Sequence, residues 1–500
     1  MAFKETHPLL QRSDDIQSMM DYWDQVDTIV EGYQAIKKAG PTYLPRFPDE
    51  CNDDYEFRLK LTKFTNIYRD VLEGLATKPF EEEITLIGGD AIPKEATDFI
   101  ENVDGAGNNL TMFSALTFFN GINDAIHWIF VDYPTVEPGA VMSVQEARDK
   151  NIKPFWSHVL ARNVLEVRTK MSGAEELLSY IRIFEPAGDD DSEDHVRVFN
   201  RYDNGIVTWE LFVRNPDYKE AKDEFVLEKA GVLSISVIPM VPFITGRRNG
   251  RTFSFSPVMR DAADLQIDLY QDESALKFIK TLAGYPMLAA NGMKPALGAD
   301  GKPLKVAIGP KMILYGVPDG NGNHGEWKFI EPTANSLEFL QKSIAQTKQD
   351  LRELGRQPLT ALSSQLTTVT TSVAAGKAKS AVTAWALALK DALENAMKIT
   401  MEFMKVEKEV EVNVYTGFDN ILDDGSDLDA LNAARDRGDL SQETYLGEYK
   451  RRKVLAPEFN FEAEKARQLQ ELPVGDHIID PAPPANTTPK LPVKKGTKKS

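Results

Sequence analysis

The residues that could do chemistry are sparse and scattered. Gly320-Asn321-Gly322-Asn323-His324-Gly325 spells G-x-G-x-x-G after an apolar run. A dinucleotide site needs a helix next, so that its N-terminus can hold the pyrophosphate. Here residues 326–330 read as a strand, and the glycines are expected to form a hairpin loop. Gly376-Lys377 lacks the upstream glycine and the following Ser or Thr of a phosphate-binding loop. The six histidines, His7, His127, His158, His195, His324 and His477, include no i,i+4 pair to share a metal on one helix face. No G-x-S-x-G elbow is present. Asp423, Asp424 and Asp427 precede an expected helix, where their charge suits the helix start. The acidic stretch 189–194 lacks calcium-loop spacing and is expected at a solvated hairpin tip. Nothing nominates an active site; the expectation is a non-enzyme without cofactor or metal.

Composition narrows the class. The chain has 500 residues, 42% apolar and 27% charged, which suits several packed domains. One cysteine, Cys51, excludes a disulfide framework or a cysteine metal site and fits a reducing compartment. No run is long and apolar enough to span a membrane, and the N-terminus has no signal-like apolar core. The sequons at Asn109 and Asn486 are therefore without meaning. Net charge is −18, the wrong sign for a protein that grips phosphates over a large surface.

The elements follow from periodicity. Residues 13–39 predict one helix, with Ile16, Met19, Trp23, Val26, Val30 and Tyr33 on its apolar stripe and Gly40-Pro41 at its end. A second helix is expected over 53–77, capped by Asn52 or Asp53, and another over 110–123. Antiparallel strands are expected at 163–169, 180–185, 195–202, 206–214 and 232–245, with a turn at Asp203-Asn204-Gly205. Ser256 and Pro257 are expected to cap and open a long helix over 256–283. A Gly- and Pro-rich β insertion follows, with strand-like pieces at 305–308, 311–315 and 326–330. A helix over 335–355 carries Leu337, Leu340, Ile344, Leu351 and Leu354 on one stripe. A polar Thr/Ser loop spans 356–371. A third long helix runs from about 377 to 406, with Val382, Trp385, Leu389, Leu393, Met397 and Met404 inward. A strand at 410–415 and short helices at 428–437 and 442–452 complete the pattern. Residues 474–500 hold five lysines against Asp476 and Asp480 and read as a disordered basic tail.

The fold class is α+β. Helix, β insertion, helix, polar loop and helix, in that order, resemble the portal (head-to-tail connector) proteins of tailed bacteriophages. Residues 35–46 (Ala35-Ile36 through Tyr43-Leu44-Pro45-Arg46), Ser256-Pro257 with Leu265-Gln266-Ile267-Asp268-Leu269-Tyr270, Gly284-Tyr285-Pro286-Met287-Leu288, and residues 428–455 are similar to one large subgroup, long known only as an uncharacterised domain. The resemblance covers about residues 8–455. It implies a wing over 1–255, stem helices at 256–284 and 335–355, and a clip at 285–334. It further implies a tunnel loop at 356–376, a long wing helix and strand at 377–415 and crown-like helices at 416–472, with the 473–500 tail beyond.

By the same resemblance, twelve copies form a ring at one capsid vertex of the virion, and double-stranded DNA passes through it during packaging and ejection. Partners would be the terminase large subunit, then a head-tail adaptor, with the major capsid or scaffold protein around the ring. The chain would be made in the bacterial host cytoplasm. Helices about 10 Å wide around a tunnel of about 25 Å number about eleven, so one stem helix per chain closes a ring of that order. An acidic wall would let the duplex slide. The uncharged tunnel loop gives a soft contact through Leu359, Thr360, Ser363, Ser364, Gln365, Thr367, Thr368 and Thr370. Lys294, Lys302, Lys305 and Lys311 of the clip are the expected docking residues, or face the DNA exit. Two other classes compete: a carboxylate-dependent hydrolase built on the β region, and another structural virion protein. The first lacks a catalytic constellation. The second, if a scaffold, would be mostly helical.

Overall fold

The computed structural model describes residues 7–134, 152–188, 193–216, 223–283, 287–291, 326–330, 334–356, 368–416, 426–451, 455, 459 and 461–470. The chain is mixed α+β and divides into two units, Met1–Phe418 and Asp419–Ser500.

The first unit opens with a helical layer: α1 (Asp14–Glu31), α2 (Tyr33–Ala39), α3 (Asn52–Lys60) and α4 (Ile67–Ala76). Periodicity had α1 and α2 as one helix. Gly32, at φ +94°, breaks it, a conformation open chiefly to glycine. The expected 53–77 helix is likewise two, and Cys51 rather than Asn52 or Asp53 caps α3, its Sγ accepting from the Asp54 amide. The split has a local and a tertiary cause: Asn66 caps α4, its Oδ1 accepting from the Arg69 amide at 3.0 Å. Gln266, far along the chain, accepts hydrogen bonds from the Ile67 and Tyr68 amides at 2.9 and 3.0 Å and donates to the Thr65 carbonyl. The first three amides of the fresh helix are thus satisfied by one local and one remote side chain, and the intervening residues leave the helix.

β1 (Thr85–Ile87), α5 (Lys94–Ile100) and α6 (Leu110–Asp124) lead into the core. Asn109 caps α6 through the Met112 amide, so half of that sequon is a helix cap. β2 (Ile126–Asp132) and β3 (Phe155–Val159) pair antiparallel; β2 is buried along nearly its whole length, and Trp128 and Trp156 are 1% exposed. Sequence missed β2 because a strand covered on both faces is continuously apolar, not alternating.

A five-stranded antiparallel meander follows: β4 (Val164–Ser172), β5 (Glu175–Glu185), β6 (His195–Arg201), β7 (Val207–Arg214) and β8 (Phe225–Val232), in that spatial order. Four strands match the sequence reading, with the 203–205 turn at Gly205, φ +80°. The expected 232–245 run is instead the end of β8 and β9 (Met240–Ile244), which pairs with β2. The register shift against β7 between Leu211 and Phe212 breaks β8's alternation.

β10 (Arg247–Arg248) and β11 (Phe255–Ser256) form a short ladder. Ser256 is therefore a strand residue, its hydroxyl bonded to Asn249 Oδ1 at 2.7 Å. The helix expected from it begins later, as α7 (Arg260–Ala283). β12 (Met287–Asn291) pairs antiparallel with β13 (Glu326–Ile330), so a strand does follow the G-x-G-x-x-G run. The pieces at 305–308 and 311–315 lie outside the described residues, as do the 320–325 glycines and the 474–500 tail.

α8 (Ala334–Arg356) matches expectation. α9 (Thr368–Phe403) begins nine residues before the expected Lys377. Its first turns are rich in Thr, Ser and Val, poor helix formers alone, but extending an established helix is far easier than starting one. Val382, Trp385, Leu389, Leu393 and Met397 are buried as the stripe predicts. β14 (Glu411–Asn413) returns to pair with β1. The second unit holds α10 (Ser426–Asp436), α11 (Gln442–Arg451) and α12 (Phe461–Gln470), with Gly438 at φ +77° in the expected turn.

Candidate functional site

The feature with the most functional content is a helical pair. α7 and α8, of 24 and 23 residues, pack together and are joined through the β12–β13 ladder. Each is roughly 35 Å long. Along α7 burial extends from Ala262 to Ser274, and no described residue beyond is buried. Among the residues of α8 whose burial is described, from Leu337 on, the first buried one is Ile344, while Phe339 is 75% exposed. The pair is thus rooted in the body at one end and stands clear at the end nearest β12 and β13.

The root is polar and specific. Besides Gln266, Gln271 donates to the Tyr43 carbonyl at 3.0 Å. Tyr270 packs with Ile36, Leu44 and Tyr55 in a separate buried cluster. The two segments singled out by resemblance, 35–46 and 265–270, therefore touch. Glu273, 3% exposed, takes Lys348 of α8 at 2.6 Å, Lys63 at 3.3 Å and the Thr65 hydroxyl at 2.9 Å. Burial opposes its charge most strongly, but these donors together hold its carboxyl below the usual range.

The outward side of α7 is acidic. Asp261, Asp264, Asp268 and Asp272 are spaced three and four apart, so they share one face. The first three are exposed and Asp272 is half-buried. Burial, and then Asp268, pushes the Asp272 carboxyl up. The sequence reading passed over this row, although its spacing was visible.

The residues named from sequence fare unevenly. Lys294, Lys302, Lys305 and Lys311 lie outside the described residues, as do Leu359, Thr360, Ser363, Ser364, Gln365 and Thr367. Thr368 and Thr370, expected in the loop, belong to the first turn of α9. Trp385 is 5% exposed and is part of the main core.

Two scattered histidines do meet. His127 Nε2 and His158 Nδ1, on adjacent strands, lie 3.0 Å apart. His158 stacks on Phe113 with centroids 3.9 Å apart. Burial, then its neighbour, pulls His127 down to about 3, and burial pulls His158 down to about 4. Both rings are neutral at pH 7. His158 also lines a cavity of about 330 Å³ with Phe130, Asp132, Ile183, Glu185 and Arg197. Arg197 is committed to Glu185 at 2.7 Å and Asp132 at 3.5 Å. With His158 turned to His127 and Asp132 facing Arg197, the cavity's Ser157, His158 and Asp132 form no relay. Among the described residues no group of three His, Cys, Asp or Glu can hold a metal. No described helix is long and apolar enough to cross a membrane.

Residues 258–404, from α7 through α9, match a family model described as a domain of unknown function, DUF4055. No curated protein matches the chain. Among solved structures, it is similar to a chain from the neck of a native GTA particle computed with C12 symmetry (11% identity, 76% of this chain and 88% of that chain, TM-score 0.39). It is also similar to chains from the neck of an empty GTA particle computed with C6 symmetry (12%, 80% and 93%, TM-score 0.38) and from the virion of a native gene transfer agent particle (11%, 87% and 98%, TM-score 0.35). These TM-scores leave the overlaps too loose to fix a common fold.

Proposed function

We propose that the chain is a structural component of a phage-like virion, and specifically a portal protein. Copies of it ring the capsid vertex through which double-stranded DNA is packaged and ejected. The observation that carries this reading is the α7–α8 pair, rooted at one end and joined through a β ladder at the other, with the 36-residue α9 next in the chain. Such a pair suits a stem: its base is buried in its own chain, and Phe339 is left for a neighbouring copy to cover. The acidic row of α7 suits a wall that repels phosphates rather than binding them. A ring of twelve is the expected assembly, with residues 357–367 as the tunnel loop.

The 285–334 segment would be the clip, where the terminase large subunit docks and a head-tail adaptor follows. Replacing Lys294, Lys302, Lys305 and Lys311 together by Glu should weaken terminase binding at least tenfold in a pull-down titration. Unchanged binding would remove these lysines from docking.

The deciding experiment is the solution mass of the purified chain with negative-stain imaging. A ring of about a dozen copies with an axial hole wide enough for a duplex is expected. A chain that stays monomeric even with its capsid or scaffold partner would overturn the portal reading.

A further inference from the structure

The cavity beside His158 has a charge balance that its own residues leave open. It lies between β2 and β3 on one side and β5 and β6 on the other. Its volume of about 330 Å³ is at the lower end of the range for small-molecule sites. The lining sorts by chemistry. Phe130 and Ile183, 3% and 0% exposed, give it an apolar wall. Its charged groups are Asp132, Glu185 and Arg197.

Arg197 is turned mostly to Glu185. Its Nε and Nη2 donate to that carboxylate at 2.7 and 3.3 Å, and its guanidinium carbon lies 5.1 Å from the centre of the Phe130 ring. Asp132 is less well served. Its Oδ1 accepts from the Tyr133 amide at 2.8 Å. Among the described residues its one ion pair is Oδ2 with Arg197 Nη1 at 3.5 Å, longer than an ordinary hydrogen bond. Burial, with Glu185 adding to it, pushes the Asp132 carboxyl up against the pull of Arg197 and the Tyr133 amide. His158 is neutral at pH 7, so two carboxylates share one guanidinium and the ionised cavity has an excess of one negative charge.

That excess disfavours an anion, because the one cation present is already engaged by Glu185. A bare metal ion lacks ligands, since no group of three suitable side chains occurs among the described residues. A cation with an apolar body suits both parts of the lining. Its ammonium group can donate to Asp132 Oδ2, and its chain can lie on Phe130 and Ile183.

We propose that this cavity is a binding site for a small protonated alkylamine, with Asp132 taking the ammonium group. The site is formed within one chain, so it stands or falls independently of the ring.

The probe is n-butylamine, and n-butanol is its uncharged counterpart of the same chain length. Saturation-transfer NMR on the full chain should show saturable n-butylamine binding and at least tenfold weaker n-butanol binding. Asp132→Asn removes the charge and keeps an acceptor for the Tyr133 amide. It should weaken n-butylamine binding at least tenfold, with the circular dichroism spectrum unchanged. Glu185→Gln should give a similar loss by another route, because Arg197 is then free to pair fully with Asp132. It decides the matter should Asp132→Asn not fold. Absence of saturable n-butylamine binding would overturn the proposal. So would binding that both variants leave unchanged, which would put the amine on the acidic surface of a chain carrying −18. So would n-butanol binding as tightly as n-butylamine, which would leave Asp132 without a part in recognition.

Discussion

His127 and His158 face each other across two neighbouring strands, yet nothing in their spacing along the chain says so. Cross-strand proximity depends on register, and β2 hides from a period-two search because it is apolar throughout. Their consequence is a pH dependence whose sign can be worked out. Both folded pKa values, about 3 and about 4, lie below the ordinary 6.5. The unfolded chain therefore takes up protons first, and stability is full above pH 6.5 and falls as pH drops toward 4. His127→Leu should flatten the fall in urea midpoint between pH 6.5 and 4.5, an effect a purely carboxylate-driven acid transition would not produce. Asp124 has the opposite sign. It is buried at the end of α6, accepts from the Asn123 amide group at 2.7 Å, and burial raises its carboxyl well above the usual value. Its folded pKa exceeds the unfolded one, so it lowers stability as pH rises past about 4. Asp124→Asn keeps an acceptor for Asn123 and removes the buried acid. It should stabilise the chain by about 1 kcal/mol at pH 7 and not at pH 3.5. Denaturant titration at the two pH values checks this.

Helices and strands were legible where local pattern decides and illegible where a distant group does. α6, α8 and the buried stripe of α9 follow from sequence because their periodicity matches the face they bury. The division of 53–77 into α3 and α4 is legible only in part: Asn66 is a local cap that periodicity passes over, whereas the second support, Gln266 on α7, is remote. Likewise α9 starts early because propagation overrides the low propensity of its Thr-rich first turns. Gln266→Leu tests the remote cap directly. It leaves the Ile67 and Tyr68 amides and the Thr65 carbonyl without their buried partner, which should cost roughly 2–4 kcal/mol. The loss should be concentrated in α4 and α7. Hydrogen exchange faster there than in the β4–β8 meander would bear this out; uniform loss across the chain would mean that the cap governs global stability instead.

Charge governs the molecule as a whole. The chain carries −18, and α7 turns Asp261, Asp264 and Asp268 outward from the very pair proposed to stand side by side with its copies. This much was visible in composition; what composition cannot tell is which face carries the charge, because that needs the rotation of α7 on its root. Copies brought into a ring must overcome mutual repulsion among these faces, while the attraction available to them is short-ranged and apolar, as at exposed Phe339. Added salt shortens the range of the repulsion, to about 10 Å at 0.1 M and about 3 Å at 1 M, and leaves apolar contacts intact or strengthened. Assembly should therefore shift toward the ring as ionic strength rises, and mass photometry at 50 and 500 mM sodium chloride should show several-fold more of the largest species at the higher salt. Replacing Asp264 and Asp268 by Asn should give much of the same gain at low salt, because it removes two charges of the row while the Asn side chain at 264 keeps an oxygen to accept from Gln25. If rings form instead at low salt and dissociate at high salt, then ion pairs hold the copies together and the acidic row of α7 is one half of the interface rather than a repelling wall.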